Sequence, residues 1–317
     1  MQRPLFRRDD FCGRAVFFNP ERMKTMDLGQ FVEKAGPMRA LGVVVSQNGK
    51  EIGRYLWEGA CRRNIYSASK SFTSAAVGIA QKEGLLSIDE KLVDAFPDDL
   101  PETVSDYLAA ATVRDLLTMC LGQGKPYLMG EDRPYYPDPN WVRSALAQPF
   151  TDQPGKRFLY NNTGPYLAGV LVQRRAGCDL VHYLMPRLFQ PMGIQLPTWE
   201  SDPMGNTFGA GGLFLTLDEL HNFGQLYLDM GRRNGRQLVP EEWVRESTSR
   251  QVENDRDGYG YGYLFWGGME GSFRADGKYG QYTILLRDKS AVVTIVAESR
   301  EAGRLLKAVY TDIYPQL

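Results

Sequence analysis

Ser67-Ala68-Ser69-Lys70 is a Ser-x-x-Lys, and Ser67 is the only serine in the chain with a lysine three residues on. A serine hydroxyl is a poor nucleophile until a neighbouring base takes its proton. Residues three apart on a helix share a face, so Lys70 can reach the Ser67 hydroxyl. A helix N-terminus adds positive potential and free N–H groups, which favour an alkoxide and an oxyanion. Burial in an apolar helix lowers a lysine pKa, and a nearby cation lowers it further. Taken alone, the same four residues also fit a buried Ala/Ser helix with a snorkelling lysine.

Two further segments could join this pair. Tyr160-Asn161-Asn162 stands before a helical run, TGPYLAGVLVQ. A tyrosine there can shuttle a proton, and an asparagine can donate to a substrate carbonyl. Tyr-x-Asn is equally a common way to enter and cap a helix. Ala275-Asp276-Gly277-Lys278-Tyr279-Gly280-Gln281 opens a strong strand pattern. Glycines there let a ligand approach the backbone, and an N–H could serve as a second oxyanion donor beside that of Ser67. A Gly-rich turn or bulge is the plainer alternative.

The elements that must position these residues follow from the apolar periodicity. Residues 28–36 read as a short helix ended by Gly36. Residues 38–58 read as two strands around Asn48-Gly49, a hairpin signal. A helix runs from about Ser67 to Glu83, buries most of its circumference and stops at Gly84. Residues 86–250 read as a series of short helices joined by Pro- and Gly-containing turns. Strands return after 258 as YGYGYLFWG, GSFRADGKYGQYTILL and SAVVTIVAES, and REAGRLLKAVYTDIY closes the chain as an amphipathic helix. The expected class is α+β. An antiparallel sheet is built from residues 1–85 and 251–317 and flanked by the terminal and Ser67 helices. Residues 86–250 form an all-helical insertion lobe, with the active site at the junction.

Composition bounds the function. The chain has 317 residues, 43% hydrophobic and 24% charged, with a net charge of -1. That is enough for one large domain or two intimately packed ones. It gives no charge excess for nucleic acid or an anionic membrane. The partner expected is a small-molecule substrate. No run is long and apolar enough for a membrane span, and the basic start MQRPLFRRDDFCGR is not followed by a signal-peptide core. A cytoplasmic setting is the expectation. Cys12, Cys61, Cys120 and Cys178 are far apart, which favours buried free thiols over a metal or redox motif. The two histidines, His182 and His221, sit in helical stretches and read as helix-face residues. A His-based zinc site or a Ser-His-Asp triad has little material, and no metal or organic cofactor is expected. Tyr127, Tyr135, Tyr136, Trp141, Trp199 and Trp266 could shape a substrate pocket, though each also suits core or rim packing.

Together, Ser67-x-x-Lys70, Tyr160-x-Asn162 and the Gly277 segment resemble class C β-lactamases and the related penicillin-binding proteins and esterases. The order and approximate separations match. VRDLLTMCLG, PGKRFLYNNTGPYLAGVLVQRRAG, LFQPMGI and GKYGQYTILL look like recurrent phrases of that superfamily, so the resemblance covers about residues 40–312. It implies an acyl-enzyme on Ser67 with Lys70 as partner. It also implies Tyr160 as general base and Asn162 orienting Lys70 and the substrate carbonyl. The oxyanion hole would use the backbone N–H groups of Ser67 and of Lys278, the residue after Gly277. The family's third motif usually begins with Lys or His, which helps bind a substrate carboxylate; here that position is Ala275. This departure resembles the esterase and linear-amide hydrolase branch, including 6-aminohexanoate-dimer hydrolases. The leading expectation is a serine hydrolase of small esters or linear amides. A β-lactamase or D-amino-acid peptidase, with Lys278 replacing the missing cation, is the alternative. A non-catalytic binding protein on the same fold is the third reading.

Overall fold

The computed structural model describes residues 26–317. The basic N-terminal stretch and Cys12 lie outside the described residues. Helix α1 (Gly29–Ala35) leads into strands β1 (Ala40–Gln47) and β2 (Lys50–Leu56). Their connection, Asn48-Gly49, has φ of 52° and 72°. Positive φ at both positions is what a two-residue type I′ hairpin turn needs. Helix α2 (Ser69–Lys82) follows a single 3₁₀ turn, Tyr66–Ala68. Ser67 therefore sits in the turn that feeds the helix and not in the helix itself, which begins two residues later than expected. Gly84 ends the run with φ of 75°, a conformation that glycine adopts without cost.

The longer helices of the middle segment are α3 (Thr163–Ala176) and α4 (Leu217–Leu228). Strands β3 (Trp266–Gly267), β4 (Phe273–Gly277), β5 (Gln281–Leu286) and β6 (Ala291–Ala297) complete one sheet, and helix α5 (Ala302–Ala308) follows. The sheet order is β2-β1-β6-β5-β4-β3, antiparallel throughout. β1 pairs with β6 from Ala40 opposite Ala297 to Gln47 opposite Ala291, so the two ends of the chain share one sheet. YGYGYLFWG contributes only Trp266 and Gly267 to the sheet; its tyrosine-rich part is irregular.

Both faces of the sheet are covered. Val43, Val45, Val293 and Ile295 face Phe31 of α1 and Leu305 of α5. Leu41, Val44, Val292 and Val296 face the main core. Strands buried on both sides read as continuous apolar runs instead of alternating ones. On the main-core side the covering helix is α4, which sends His221 between the strands. His221 Nδ1 lies 2.9 Å from Thr294 Oγ1 and Nε2 lies 3.0 Å from Ser46 Oγ. The expectation of sheet cover by the Ser67 helix is thus modified, since α2 packs mainly along α3 and reaches the sheet at β4. His182 is exposed and bonds Asp179 at 2.6 Å, so both histidines are helix-face residues. Of the described cysteines all three are free; Cys120 is buried, whereas Cys61 and Cys178 are exposed, contrary to the buried expectation.

Candidate active site

Helix α2 buries every residue from Ser69 to Ala80. Its polar groups need partners, and those of Ser69, Ser71 and Thr73 are backbone groups of neighbouring segments. Ser69 Oγ donates to Tyr66 O at 2.6 Å and accepts from Leu213 N at 3.1 Å. Ser71 Oγ donates to Leu264 O at 2.9 Å, and Thr73 Oγ1 donates to Gly209 O at 2.7 Å. These bonds fix the turn that carries Ser67. Tyr66, the residue before it, is held at φ of 48°, with its N–H donating to Asn64 Oδ1 at 2.7 Å. A non-glycine residue at positive φ beside a candidate nucleophile is the kind of local strain that functional sites store.

Lys70 is 1% exposed and has three partners for its Nζ. Ser67 Oγ lies at 2.9 Å, Asn162 Oδ1 at 2.7 Å and Ala210 O at 2.6 Å. Two are acceptors only, and the third is a hydroxyl that can donate. A neutral amine has two N–H donors and one lone pair, so it satisfies the two carbonyl oxygens and turns its lone pair to the Ser67 hydroxyl. Burial pushes the Lys70 pKa well down, and the charges of Arg133 and Arg256 add to this, against Asp276. This is the geometry and the charge environment that a proton acceptor beside Ser67 needs, and Ser67 itself remains partly exposed.

Asn162 occupies the position before α3, yet its side chain does not cap that helix. Its Nδ2 donates to Leu128 O at 2.9 Å, which orients Oδ1 toward Lys70. The neighbouring Asn161 takes over the end of the helix, accepting from Gly164 N at 2.8 Å. Of the two readings open for this asparagine, the cap and the site residue, the side chain serves the site.

Tyr160 lies beside them. Lys70 Nζ is 5.1 Å from its ring centroid, and the Trp266 ring is 5.2 Å away. Burial raises its phenol pKa, while a hydrogen bond with Ser67 and the Arg256 charge oppose that shift. The resting form is the neutral phenol.

The third segment differs from the expected strand opening. Ala275, Asp276 and Gly277 end β4, and Lys278-Tyr279-Gly280 is the turn into β5. A Cβ on Gly277 would lie 2.2 Å from Ile65 O and 3.2 Å from Ala68 N. Only glycine lets β4 come this close to the Ser67 turn. That approach puts the Lys278 side chain in the same cleft as Ser67 and stacks Tyr279 edge-on against Tyr66 at 5.2 Å. Ala275 is 1% exposed and packs in the apolar core. The cleft encloses about 540 Å³ and is lined by Tyr66, Ser67, Arg133, Asn162, Glu200 and Lys278, among others. Ser67, Asn162 and Lys278 line this cleft, Lys70 bonds Ser67 and Asn162 beneath it, Tyr160 adjoins Ser67, and Gly277 lies against the Ser67 turn.

Other roles at the site carry no sequence signal. Residues 208–211 present four successive carbonyls, of which one, Ala210 O, meets Lys70. Trp199 Nε1 donates to Phe208 O at 3.1 Å and to Gly211 O at 2.9 Å, Thr73 binds Gly209 O, and Lys70 binds Ala210 O. Trp199 is thus less a pocket wall than the clamp on the loop that orients Lys70. Asp276 is paired with the buried Arg274, whose Nε donates to it at 2.9 Å, and this pair stands behind Lys70 and Tyr160. Arg133 lies across the cleft, 4.2 Å over the Phe208 ring and 3.4 Å from Glu200 Oε2. Of the aromatic residues named as candidate pocket shapers, Trp266 stacks on Tyr160. Tyr127, Tyr136 and Trp141 pack on one another, and Tyr135 is 83% exposed.

An antiparallel sheet with flanking helices, carrying a Ser–Lys pair at the mouth of a cleft, defines a serine hydrolase of the penicillin-recognising type. Residues 28–311 match the Beta-lactamase family, and the chain belongs to it. Among similar proteins, lovastatin esterase of Penicillium rubens is 28% identical over 152 residues, covering 41% of this chain and 37% of its own length. Monacolin J acid methylbutanoyltransferase of Aspergillus terreus is 26% identical over 159 residues, covering 44% and 38%. The chain thus spans less than two fifths of the length of these curated relatives. Among solved structures, the octameric penicillin-binding protein homologue of Pyrococcus abyssi has a TM-score of 0.71 at 19% identity, covering 92% of this chain and 78% of that one. EstCE1, a hydrolase with promiscuous acyltransferase activity, has a TM-score of 0.73 at 15% identity, covering 90% and 97%. A Bacillus anthracis protein, provisionally a 6-aminohexanoate-dimer hydrolase, has a TM-score of 0.75 at 20% identity, covering 89% and 80%. Identities this low establish the shared fold alone.

Proposed function

We propose that the chain hydrolyses a small carboxylic ester or linear amide through an acyl-enzyme on Ser67. The observation that carries this is the buried Lys70 amine, 2.9 Å from Ser67 Oγ, with both of its N–H groups engaged elsewhere. Lys70 takes the hydroxyl proton as Oγ adds to the substrate carbonyl. The backbone N–H groups of Ser67 and Lys278 hold the oxyanion that forms. Tyr160, beside Ser67, relays the proton to the departing alcohol or amine as the tetrahedral intermediate collapses. Water then attacks the acyl carbon, giving its proton back through the same groups and releasing Ser67.

Preference for esters or linear amides over β-lactams rests on Ala275. The cation that binds a β-lactam carboxylate in relatives has no counterpart at that position, which is apolar and buried. The named activities of the two fungal relatives, an esterase and an acyltransferase, point the same way. The second reading, a β-lactamase or D-amino-acid peptidase, draws on Lys278, which lines the cleft. Turnover of p-nitrophenyl butyrate and of nitrocefin by the native chain separates the two. Ester turnover with negligible nitrocefin loss is expected. Dominant nitrocefin turnover would reverse the preference, and Lys278→Ala should then abolish it. Tyr160→Phe is expected to lower ester turnover by ~10²–10⁴-fold, the usual contribution of a positioned proton-transfer group. An unchanged rate would remove Tyr160 from the proton path.

A further inference from the structure

A cation of a different kind stands over the site. The loop after residue 250 brings Arg256 over two of its rings, with the guanidinium carbon 5.0 Å from the Tyr160 centroid and 4.6 Å from that of Trp266. The backbone is set for this by Asn254, whose Oδ1 accepts from Arg256 N at 2.9 Å and Asp257 N at 3.0 Å. Asn254 Nδ2 donates to Gly260 O at 2.9 Å, which closes the loop. The neighbouring arginine, Arg274, is committed to Asp276 and to Gly267 O at 2.6 Å. Arg256 itself makes no ion pair among the described residues.

We infer that Arg256 is a positioning cation of this active site, supplied from the 250–260 loop, and that it acts through the Tyr160 ring it covers. A guanidinium over an aromatic face is attracted by the ring's negative quadrupole, and that attraction grows as the ring gains charge. Arg256 therefore favours any step in which Tyr160 gives up its proton. It also opposes a positive charge on Lys70. Both effects have one sign: each makes the proton acceptor available at lower pH. The other groups facing Tyr160 are the Ser67 hydroxyl, Lys70, Tyr261, Trp266 and Asp276. Those facing Lys70 include Arg133, which acts with Arg256, and Asp276, which acts against it. The inference rests on the roles of Ser67, Lys70 and Tyr160 proposed above.

The test is the rate at which a fluorophosphonate labels the full chain as a function of pH, for the native protein, Arg256→Met and Arg256→Lys. Arg256 is an exposed loop residue, so its replacement leaves the core untouched. Arg256→Met is expected to label about tenfold more slowly near neutral pH, with the acidic limb moved up by roughly one pH unit. Arg256→Lys, which keeps the charge, should return the limb toward its native position. A limb that stays in place in Arg256→Met overturns the inference, whatever happens to the rate. So does a limb displaced equally in both variants, because charge would then not be the cause. Failure of the native chain to label overturns the parent reading as well, whereas native labelling with an unmoved limb overturns this inference alone.

Discussion

Lys70 is the residue on which the chemistry turns. Its three neighbours accommodate a neutral amine: two carbonyl oxygens take its protons, and the Ser67 hydroxyl meets its lone pair. Burial that would be costly for an ammonium is tolerable for an amine. Arginine cannot deprotonate at any accessible pH, so Lys70→Arg removes the acceptor and puts a fixed charge where the amine is neutral. Turnover of p-nitrophenyl butyrate should fall by ~10²–10⁴-fold in that variant. Activity within a few fold of native would show that the proton goes elsewhere. For the native chain, kcat/KM should hold on the alkaline side and fall as acid protonates Lys70, with that limb below the ordinary lysine range because the lysine pKa is depressed. The Ser67–Lys70 pair was legible because a spacing of three is local. The roles of Ala210, Asp276 and Arg256 were not, since tertiary packing alone brings a backbone carbonyl, a carboxylate and a loop guanidinium near the same lysine; Trp199 stood out only as an aromatic residue, not as the clamp on the Ala210 loop.

At the scale of elements, two contacts between segments make the site. One is the loop 208–211, clamped by Trp199 on both sides of Ala210. Trp199→Phe keeps most of the apolar volume and removes the N–H that both carbonyls share. Burying them without a donor costs about 1–3 kcal/mol. The loop should slacken, and thermal stability and ester turnover should fall together, read by a melting curve and by kcat. Full native activity would reduce Trp199 to packing. The other contact is β4 against the Ser67 turn at Gly277. Gly277→Ala puts a methyl onto Ile65 O, which forces strand and turn apart. It should cost more activity than stability, because the parted N–H groups of Ser67 and Lys278 are the proposed oxyanion donors. Loss of stability with native kcat in the folded fraction would contradict that placement. The β1–β2 hairpin, the first helix and the stop at Gly84 were readable from turn and cap chemistry. The 275–281 segment was read as one strand opening because its residues suit a strand; the turn at Lys278–Gly280 follows from the pairing of β4 with β5, which local pattern does not reveal.

At the scale of the molecule, the six-stranded sheet draws on both sides of the long middle segment, which supplies most of the helices. That much follows from where apolar periodicity changes from two to nearly four. The middle segment is not all-helical: Phe214–Leu215 pairs with Arg63–Asn64, and Arg232–Arg233 with Arg236–Gln237. Less visible was α4, a helix of the middle segment that lies on the sheet. Its amphipathic pattern marks a buried face without saying against what. His221 on that face is held neutral between Ser46 and Thr294, and burial lowers its pKa from 6.5 to about 4. The unfolded chain binds the proton more readily, so this residue subtracts stability as pH falls below about 6.5, down to about 4. A shift of that size corresponds to roughly 3 kcal/mol at the acid end of the window. Native protein should therefore lose urea resistance between those pH values, and His221→Gln should show a flatter profile. An identical acid profile in the two proteins would place the pH dependence on other groups.

The account's central claim is the acyl-enzyme on Ser67, and it is tested most directly by the intact mass of the chain after reaction with a fluorophosphonate, beside Ser67→Ala. One adduct per native chain, mapping to the peptide that holds Ser67 and absent from the folded variant, is the predicted result. An adduct that persists in Ser67→Ala, or a native chain that takes none, would contradict it.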